Sequence, residues 1–365
     1  MPVTIGRAQT MTESPGKGVV VDAEPLARFC SDVFECAGMD RDPARTQADI
    51  LVWANLHGID SHGALRVPKY CAWLSSGVMN PQPQLRLHDN SPATFVLDAD
   101  RAAGGVAMQA ATRHAIGKAR SNGLAWGIVR ETTHTGPMGY YAAQIANAGM
   151  LAFVASSSRP LMAYFGARKA GVATSPVAMA APGDRSDVVM LDMATAEIAI
   201  GKILKARATG DSIPLGSALT ANGKPTTNPL EAALPMPLAG ARGAGLSLML
   251  ECFQGVLVDH PLLAPAIRGE PVVHSQNGLV AAIDIGLFGD VASFRKRIDE
   301  LAAAIKSLPR AQGVEAIYLP GEIERGTAAE RRRDGIPLPE NTWNALLQIA
   351  RDVDVEPPKP SAISN

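Results

Sequence analysis

The chain holds 34 glycines, yet no GxGxxG occurs anywhere in it. The nearest spacing, Gly240, Gly243 and Gly245, opens a helix with no apolar strand directly before it, so a conventional Rossmann phosphate turn is unsupported. Four Gly-Lys pairs, at Gly16, Gly117, Gly201 and Gly223, are never followed by Ser or Thr, which excludes a Walker A loop. HExxH, GxSxG and EF-hand patterns are missing too, and zinc hydrolases and α/β-hydrolases lose ground with them. Excess charge of either sign is absent: 34 Lys+Arg face 35 Asp+Glu, which argues against a nucleic-acid or membrane-surface partner held by bulk charge. The four cysteines (Cys30, Cys36, Cys71, Cys252) form no CxxC pair, so neither a zinc ribbon nor a disulfide framework is indicated, and a reduced, cytoplasmic setting is expected. No run of about 18 apolar residues suggests a membrane span.

What is present is ordinary globular material, 47% hydrophobic and 19% charged, in a chain of 365 residues, a length that suggests about two domains. Residues 1–21 are polar and Gly/Ser/Pro-containing and read as a mobile tail. From Asp22 the pattern is helical. Leu26, Phe29, Cys30, Val33 and Phe34 recur at helical spacing before Gly38; a second helix has Asp42 as its cap and Pro43 at its first position; a third is expected from about Ala64 to Ser76. No strand is expected before about Leu85. Short apolar runs then alternate with helices, which predicts an α/β core. Strands are expected at Thr94–Asp98, Ala125–Val129, Leu151–Ala155, Val188–Asp192, Leu279–Ile285 and Ala316–Leu319, and helices near Val106–Ser121, Pro137–Ala148, Glu197–Ala208, Gly243–Leu257 and Val291–Lys306. Residues 210–237, rich in Gly, Pro, Asn and Thr, read as a long surface excursion. The division expected is a helical part, 22–90, packed with 290–355, an α/β domain, 91–289, and a tail, 356–365.

Chemistry concentrates in three segments. In the first, Asn55 to Tyr70, a helix beginning near Ser61 sets His62 and Arg66 at i and i+4 on one face, with Tyr70 one turn further. Arg can grip a carboxylate bidentately while His supplies a proton to an oxygen as hydride reaches the neighbouring carbon, which is what reduction of a 2-oxo acid requires. A plain helix start with a surface His/Arg pair is the blander alternative. In the second, Thr132 to Tyr141, a strand gives way to small residues and a helix N-terminus, a seat for an anion or phosphate, or simply a tight turn. In the third, Asp192 closes the apolar run Val188–Leu191, where a carboxylate orients a histidine, binds a ribose hydroxyl or caps the next helix. The five-residue spacing of His57 and His62 is poor for metal ligation, and no cluster completes a metal site.

Taken in order, Gly58-Ile-Asp-Ser-His-Gly-Ala-Leu-Arg66, His134-Thr-Gly-Pro-Met-Gly-Tyr-Tyr141, Leu191-Asp-Met-Ala-Thr195 with Gly201-Lys202, Pro237-Leu-Ala-Gly-Ala-Arg-Gly-Ala-Gly-Leu246 and Leu319-Pro-Gly-Glu322 make the chain resemble the type 2 malate/L-lactate dehydrogenase family. The resemblance runs over nearly the whole chain. It implies a homodimer and a non-Rossmann, three-layer α/β fold on a mixed, largely antiparallel sheet, which accounts for the missing GxGxxG. It also implies an NAD- or NADP-dependent oxidoreductase, with His62 as proton donor, Ser61 its hydrogen-bonded neighbour, and Arg66 and Thr174 on the substrate. His134, Gly136, Met138, Ser158, Asp192, Met193, Ala194, Arg242, Leu319, Pro320, Gly321 and Glu322 fall where the family holds the cofactor, and His134 and Asp192 are also implied in catalysis.

The chain departs from the family pattern at Ala173-Thr-Ser-Pro176, at Arg242 in place of the common Lys, and at Met162-Ala-Tyr-Phe-Gly166. Arginine keeps the charge but presents a planar fork. The reaction expected is hydride transfer between nicotinamide and C2 of a small 2-hydroxy or 2-oxo acid. The alternatives are reduction of a cyclic imino acid of the Δ1-piperideine-2-carboxylate type and a catalytically silent cofactor-binding protein.

Overall fold

The computed structural model describes residues 18–185, 188–271 and 276–361. The N-terminal part is a helical layer. The helix Ala23–Cys36 buries Leu26, Phe29, Cys30, Val33 and Phe34 on one face and ends where Gly38 adopts φ 99°, letting the Met39 N–H close onto the Phe34 carbonyl. The second helix, Arg41–Leu56, starts one residue after Asp40, so Asp42 lies inside its first turn, where a carboxylate favours the helix N-terminus without being its cap. Leu26, Phe34, Leu51 and Tyr70 share a core with Ala328, Ile336 and Leu346 from the far end of the chain, in the stretch that carries the helices Glu322–Asp334 and Glu340–Val353.

Two expectations about the termini fail for one reason, a pairing across more than 300 positions that no local pattern announces. Val19–Val21 is a strand, antiparallel to Ile336–Leu338, and not part of a tail. Ser361 donates its N–H to the Val20 carbonyl and its hydroxyl to Asp22, which draws part of the expected C-terminal tail onto the same edge. Residues 1–17 lie outside the described residues.

The α/β core is a seven-stranded sheet in the order Arg86–His88, Thr94–Asp98, Leu124–Thr132, Gln276–Asp284, Met150–Ser158, Val177–Pro182, Val188–Met193. Thr94–Asp98 and Leu124–Thr132 run parallel, joined by the helix Gly104–Asn122, and every other neighbouring pair is antiparallel. Alternation along each strand divides the apolar residues between two faces. Val129, Val154, Val280 and Ala282 pack under the helices Gly104–Asn122 and Met138–Asn147, whereas Ile128, Ala155, Leu279 and Ala281 pack against Leu250 of the helix Ala241–Gln254. The expected three-layer, mixed and largely antiparallel architecture is therefore present.

Two further expectations change. Ala316–Leu319 is not a strand: Pro320 cannot donate to a ladder, and Gly321, at φ 85°, turns the chain into the helix Glu322–Asp334. Residues 210–237 are folded, with a three-stranded sheet of Ala218–Leu219, Pro225–Thr226 and Leu234–Pro235, and with Ile213, Ala218 and Ala232 packed on Ile198, Ile203 and Ala206 of the segment before them. The helix Val291–Lys306 packs beside the sheet, its Asp299 accepting the Asp184 and Arg185 N–H groups.

Candidate active site

Register places most of the singled-out segments at one edge of the sheet. Gln276 pairs with Thr132 on one side and Ser158 on the other, while Val177 pairs with Ala155 and Met193. The carboxyl ends of Leu124–Thr132, Met150–Ser158 and Val188–Met193 therefore open on the same side. They deliver Thr133–Met138, Ser158 and Asp192–Thr195 to a common rim. Thr174 lies on that rim too, its carbonyl accepting the Thr195 N–H at 2.9 Å.

The helical layer supplies the opposing wall. Gly63 is extended (φ −91°, ψ −155°), so the expected single helix breaks into two short 3-10 turns, Asp60–His62 and Ala64–Arg66, ahead of the helix Val67–Ser75. His62 and Arg66 thus do not share a helical face. They are brought together by the turn itself, in which Arg66 Nε donates to the Ser61 carbonyl at 2.7 Å and Ser61 Oγ meets His62 Nδ1 at 2.9 Å. The turn is held from behind. Asn55, buried, donates to Asp60 at 2.6 Å and accepts the Ala64 N–H at 2.7 Å; Arg331 forks onto both Asp60 oxygens at 2.7 and 3.1 Å and also donates to the Asn55 carbonyl. A Cβ on Gly63 would fall 2.3 Å from Asn55 Oδ1, so only glycine admits this support.

Across the gap, the His62 and His134 rings stack with centroids 5.1 Å apart and 29° between planes. Tyr70, fully buried, places its hydroxyl 2.6 Å from His134 Nδ1. Burial pushes the phenol well above its usual range, so Tyr70 stays protonated and can donate to His134 Nδ1. Burial, reinforced by the Arg66 guanidinium, lowers His62 to about 4, a neutral imidazole at pH 7.

Asp192 is set apart by its environment. Burial raises its carboxyl to about 6, against the lowering effect of the Gly139 N–H, which it accepts at 2.8 Å, and with a further raising effect from Glu324. That bond ties the Asp192 strand to the start of the helix Met138–Asn147, where the first N–H groups of a helix face outward. The Thr135 hydroxyl donates to Ser156 Oγ at 3.0 Å, and the Thr135 carbonyl accepts from Tyr141 at 2.6 Å, which fixes the His134–Met138 turn.

The remaining expected cofactor positions divide. Ser158 is buried and donates to the Arg159 carbonyl at 3.0 Å. Leu319–Glu322 lies beside the Asp192 strand, the Pro320 carbonyl accepting the Met190 N–H at 3.1 Å, but the Glu322 carboxylate is engaged by the Leu319 N–H and by Lys306. Arg242 is exposed at the start of its helix, next to Gly243, where a Cβ would meet the Thr195 carbonyl at 2.6 Å. The donor set suits a nicotinamide dinucleotide: a helix N-terminus at Met138, a carboxyl at Asp192 for a ribose hydroxyl, an exposed cation at Arg242, and the buried Thr195 hydroxyl, which has no hydrogen-bond partner among the described residues.

Sequence reading left the supports unassigned. Spacing alone marks Tyr70, because its partner is 64 positions away, and Arg331 reaches Asp60 across 271. Asn55 carried one usable signal, an amide within a turn of the Asp60-Ser61-His62 corner and ahead of a glycine.

The malate/L-lactate dehydrogenase family model matches residues 21–347. The chain is 33% identical over 333 residues to the ureidoglycolate dehydrogenase (NAD(+)) of Escherichia coli O157:H7, covering 90% of this chain and 95% of that protein. It is 34% identical over 340 residues to the L-sulfolactate dehydrogenase of Methanocaldococcus jannaschii, covering 92% and 97%. Among solved structures, malate dehydrogenase from Pyrococcus horikoshii OT3 superposes with a TM-score of 0.85 at 29% identity, over 93% of this chain and 97% of that one. With its sheet, its paired histidines and its ordered motifs in place, the chain belongs to the malate/L-lactate dehydrogenase family.

Proposed function

We propose that the protein moves hydride between a nicotinamide dinucleotide and C2 of a small 2-hydroxy or 2-oxo acid, with His62 and Arg66 as the acting pair. Similarity to dehydrogenases over at least 90% of the chain supports the reaction class. The observation that carries the residue roles is the Ser61–Arg66 turn, which sets an imidazole beside a guanidinium that no carboxylate neutralises among the described residues. When bound, the dinucleotide supplies or accepts the hydride. NAD and NADP are both compatible with the donors present.

Arg66 holds the substrate carboxylate. His62, neutral at pH 7, takes the proton from the C2 hydroxyl during oxidation and returns it during reduction. Burial is the larger cause of the lowered His62, and docking of an anion beside Arg66 offsets the smaller one, the guanidinium charge, which favours the protonated form. His134, oriented by Tyr70, lines the opposite side of the same gap, and Asp192 fixes the rim through Gly139. A homodimer, as the resemblance implies, remains part of this reading.

The test is oxidation of NADH and NADPH, followed by absorbance, against open-chain 2-oxo acids and a cyclic imine. Arg66→Ala is expected to raise KM and His62→Ala to lower kcat. Turnover of the imine alone moves the protein to cyclic imino acid reduction, and unchanged kcat in His62→Ala removes the histidine from its role.

A further inference from the structure

Behind the turn that carries His134 the sheet is irregular. Gln276 pairs with Thr132 and Gly278 with Val129, so Arg130 and Glu131 stand opposite the single residue Asn277, a bulge of the kind that re-aims the chain beyond it. Glu131 takes φ 55°, a left-handed conformation unfavourable for a residue with a side chain, and His134 follows three positions on. On the facing strand Asn277 follows Gln276, whose side-chain oxygen accepts both the Thr135 N–H and the Thr135 hydroxyl at 3.3 Å. Both chain segments that aim the His134–Met138 turn therefore meet at this bulge.

One stretch of backbone holds them. Residues 255–263 follow the helix Ala241–Gln254 and are themselves pinned: the His260 N–H donates to the Gly255 carbonyl at 2.8 Å, and the buried Glu251 carboxylate accepts the Leu262 and Leu263 N–H groups. From that base the Val258 carbonyl accepts Arg130 at 3.1 Å. The His260 side chain reaches Asn277, and the exchange is two-way. Asn277 Nδ2 donates to the His260 carbonyl at 3.0 Å, which turns Oδ1 toward the ring, 3.1 Å from Nδ1, so that this nitrogen carries a proton and donates it. Nε2 lies 3.5 Å from the half-exposed Glu131 carboxylate, the weaker of the two contacts. Asn277 is fully buried, so removing the ring strands its Oδ1 without a donor, and the strand end must shift to find one.

We propose that His260 is a positioning residue for the reaction. By fixing Asn277 it fixes Gln276 and, through Thr135, how far the His134–Met138 turn stands from His62. This rests on the function proposed above and adds a residue to its machinery. Arg66 belongs to the opposite, helical wall, and its hold on the substrate carboxylate does not depend on the bulge. The spacing across the gap does, where the two imidazole centroids are 5.1 Å apart. Loss of His260 therefore slows turnover and leaves substrate binding nearly intact.

The experiment measures kcat and KM for the acid or imine that the wild type reduces best, in the wild type, His260→Ala, His260→Asn and His260→Gln. NADH affinity is read by fluorescence titration and folding by thermal melting. An asparagine amide stands where Nδ1 stands and keeps the bond to Asn277, whereas a glutamine amide extends to the place of Nε2 and faces Glu131. His260→Ala is expected to lose about tenfold in kcat, with KM and NADH affinity within about twofold of the wild type. His260→Asn should recover most of the loss, and His260→Gln should resemble His260→Ala. Wild-type kcat in His260→Ala overturns the assignment. So does a loss shared equally by the Asn and Gln variants, or one carried by KM or NADH affinity, since a merely structural or binding role gives those results. Each of these outcomes leaves the dehydrogenase reading standing. A wild type inactive on every acid and imine with either cofactor defeats that reading, and this assignment with it.

Discussion

Gly201 is the sharpest point at which to test whether the Ser61–His62 turn is where the proton moves. It lies in the first turn of the helix Ile200–Thr209, and a Cβ built there falls 2.7 Å from Ser61 Cβ. Ordinary contact begins at 3.4 Å, so the turn or the helix must give by roughly 0.7 Å in Gly201→Ala. The turn is braced behind by Asn55, Asp60 and Arg331, so the displacement is passed to the Ser61 hydroxyl and the His62 ring. Misplacement of a reacting group by about 1 Å costs on the order of 100-fold in rate. Overpacking costs about 1–3 kcal/mol, and roughly 1 kcal/mol returns because alanine is the better helix former. The expected variant is therefore folded, close to the wild type in thermal stability, and about 100-fold lower in kcat with a smaller change in KM. Steady-state rates and thermal melting on the same preparation decide it. A folded Gly201→Ala with wild-type kcat refutes the reasoning, since a displaced Ser61 would then be irrelevant to turnover.

Two further predictions follow from charges already described. Arg331→Met removes the fork on Asp60 and the bond to the Asn55 carbonyl; a loss of about 1.5–3 kcal/mol is expected, with kcat falling more than KM, and a double-mutant cycle with Asp60→Asn should show strong coupling. Strict additivity in that cycle would sink the proposed brace. For Asp192 the sign runs the other way: a carboxyl raised from 3.8 to about 6 in the folded chain favours folding below pH 3.8, and that advantage is lost as pH rises through 6. Ionisation at neutral pH then costs roughly 3 kcal/mol, so Asp192→Asn should melt higher than the wild type above pH 6 and alike below about pH 4. A difference in melting temperature that is independent of pH would show that the carboxyl's charge is not the cause.

The sequence was most legible where the signal was local. Thr94–Asp98 and Val291–Lys306 have the expected limits, the first because an apolar run is bounded by turn residues, the second because Asp290 caps a clean amphipathic period and accepts the Ser293 N–H. Motif order points to the residues of the candidate site, yet the i, i+4 spacing of His62 and Arg66 predicts one helix where the chain makes two 3-10 turns. The Asn55–Arg331 support dictates an extended Gly63, and half of that support is distant in sequence. Distance likewise hid the Val19–Val21 strand, whose three residues have no recognisable ladder until Ile336–Leu338 is beside them. Residues 210–237 misled through composition, since Gly and Pro mark turns equally well in loops and in small sheets.

The brace on Asp60 also sets a condition on biosynthesis. The turn bearing His62 is made early, but the arginine that locks it lies in Glu322–Asp334, the last described helix but one, and the strand partner of Val19–Val21 follows directly after it. Nascent chains can complete the sheet domain, whose last strand ends at Asp284, while this wall still lacks its anchor. A product ending before Arg331 thus carries both residues of the proposed proton-transfer pair without the anchor that holds their turn.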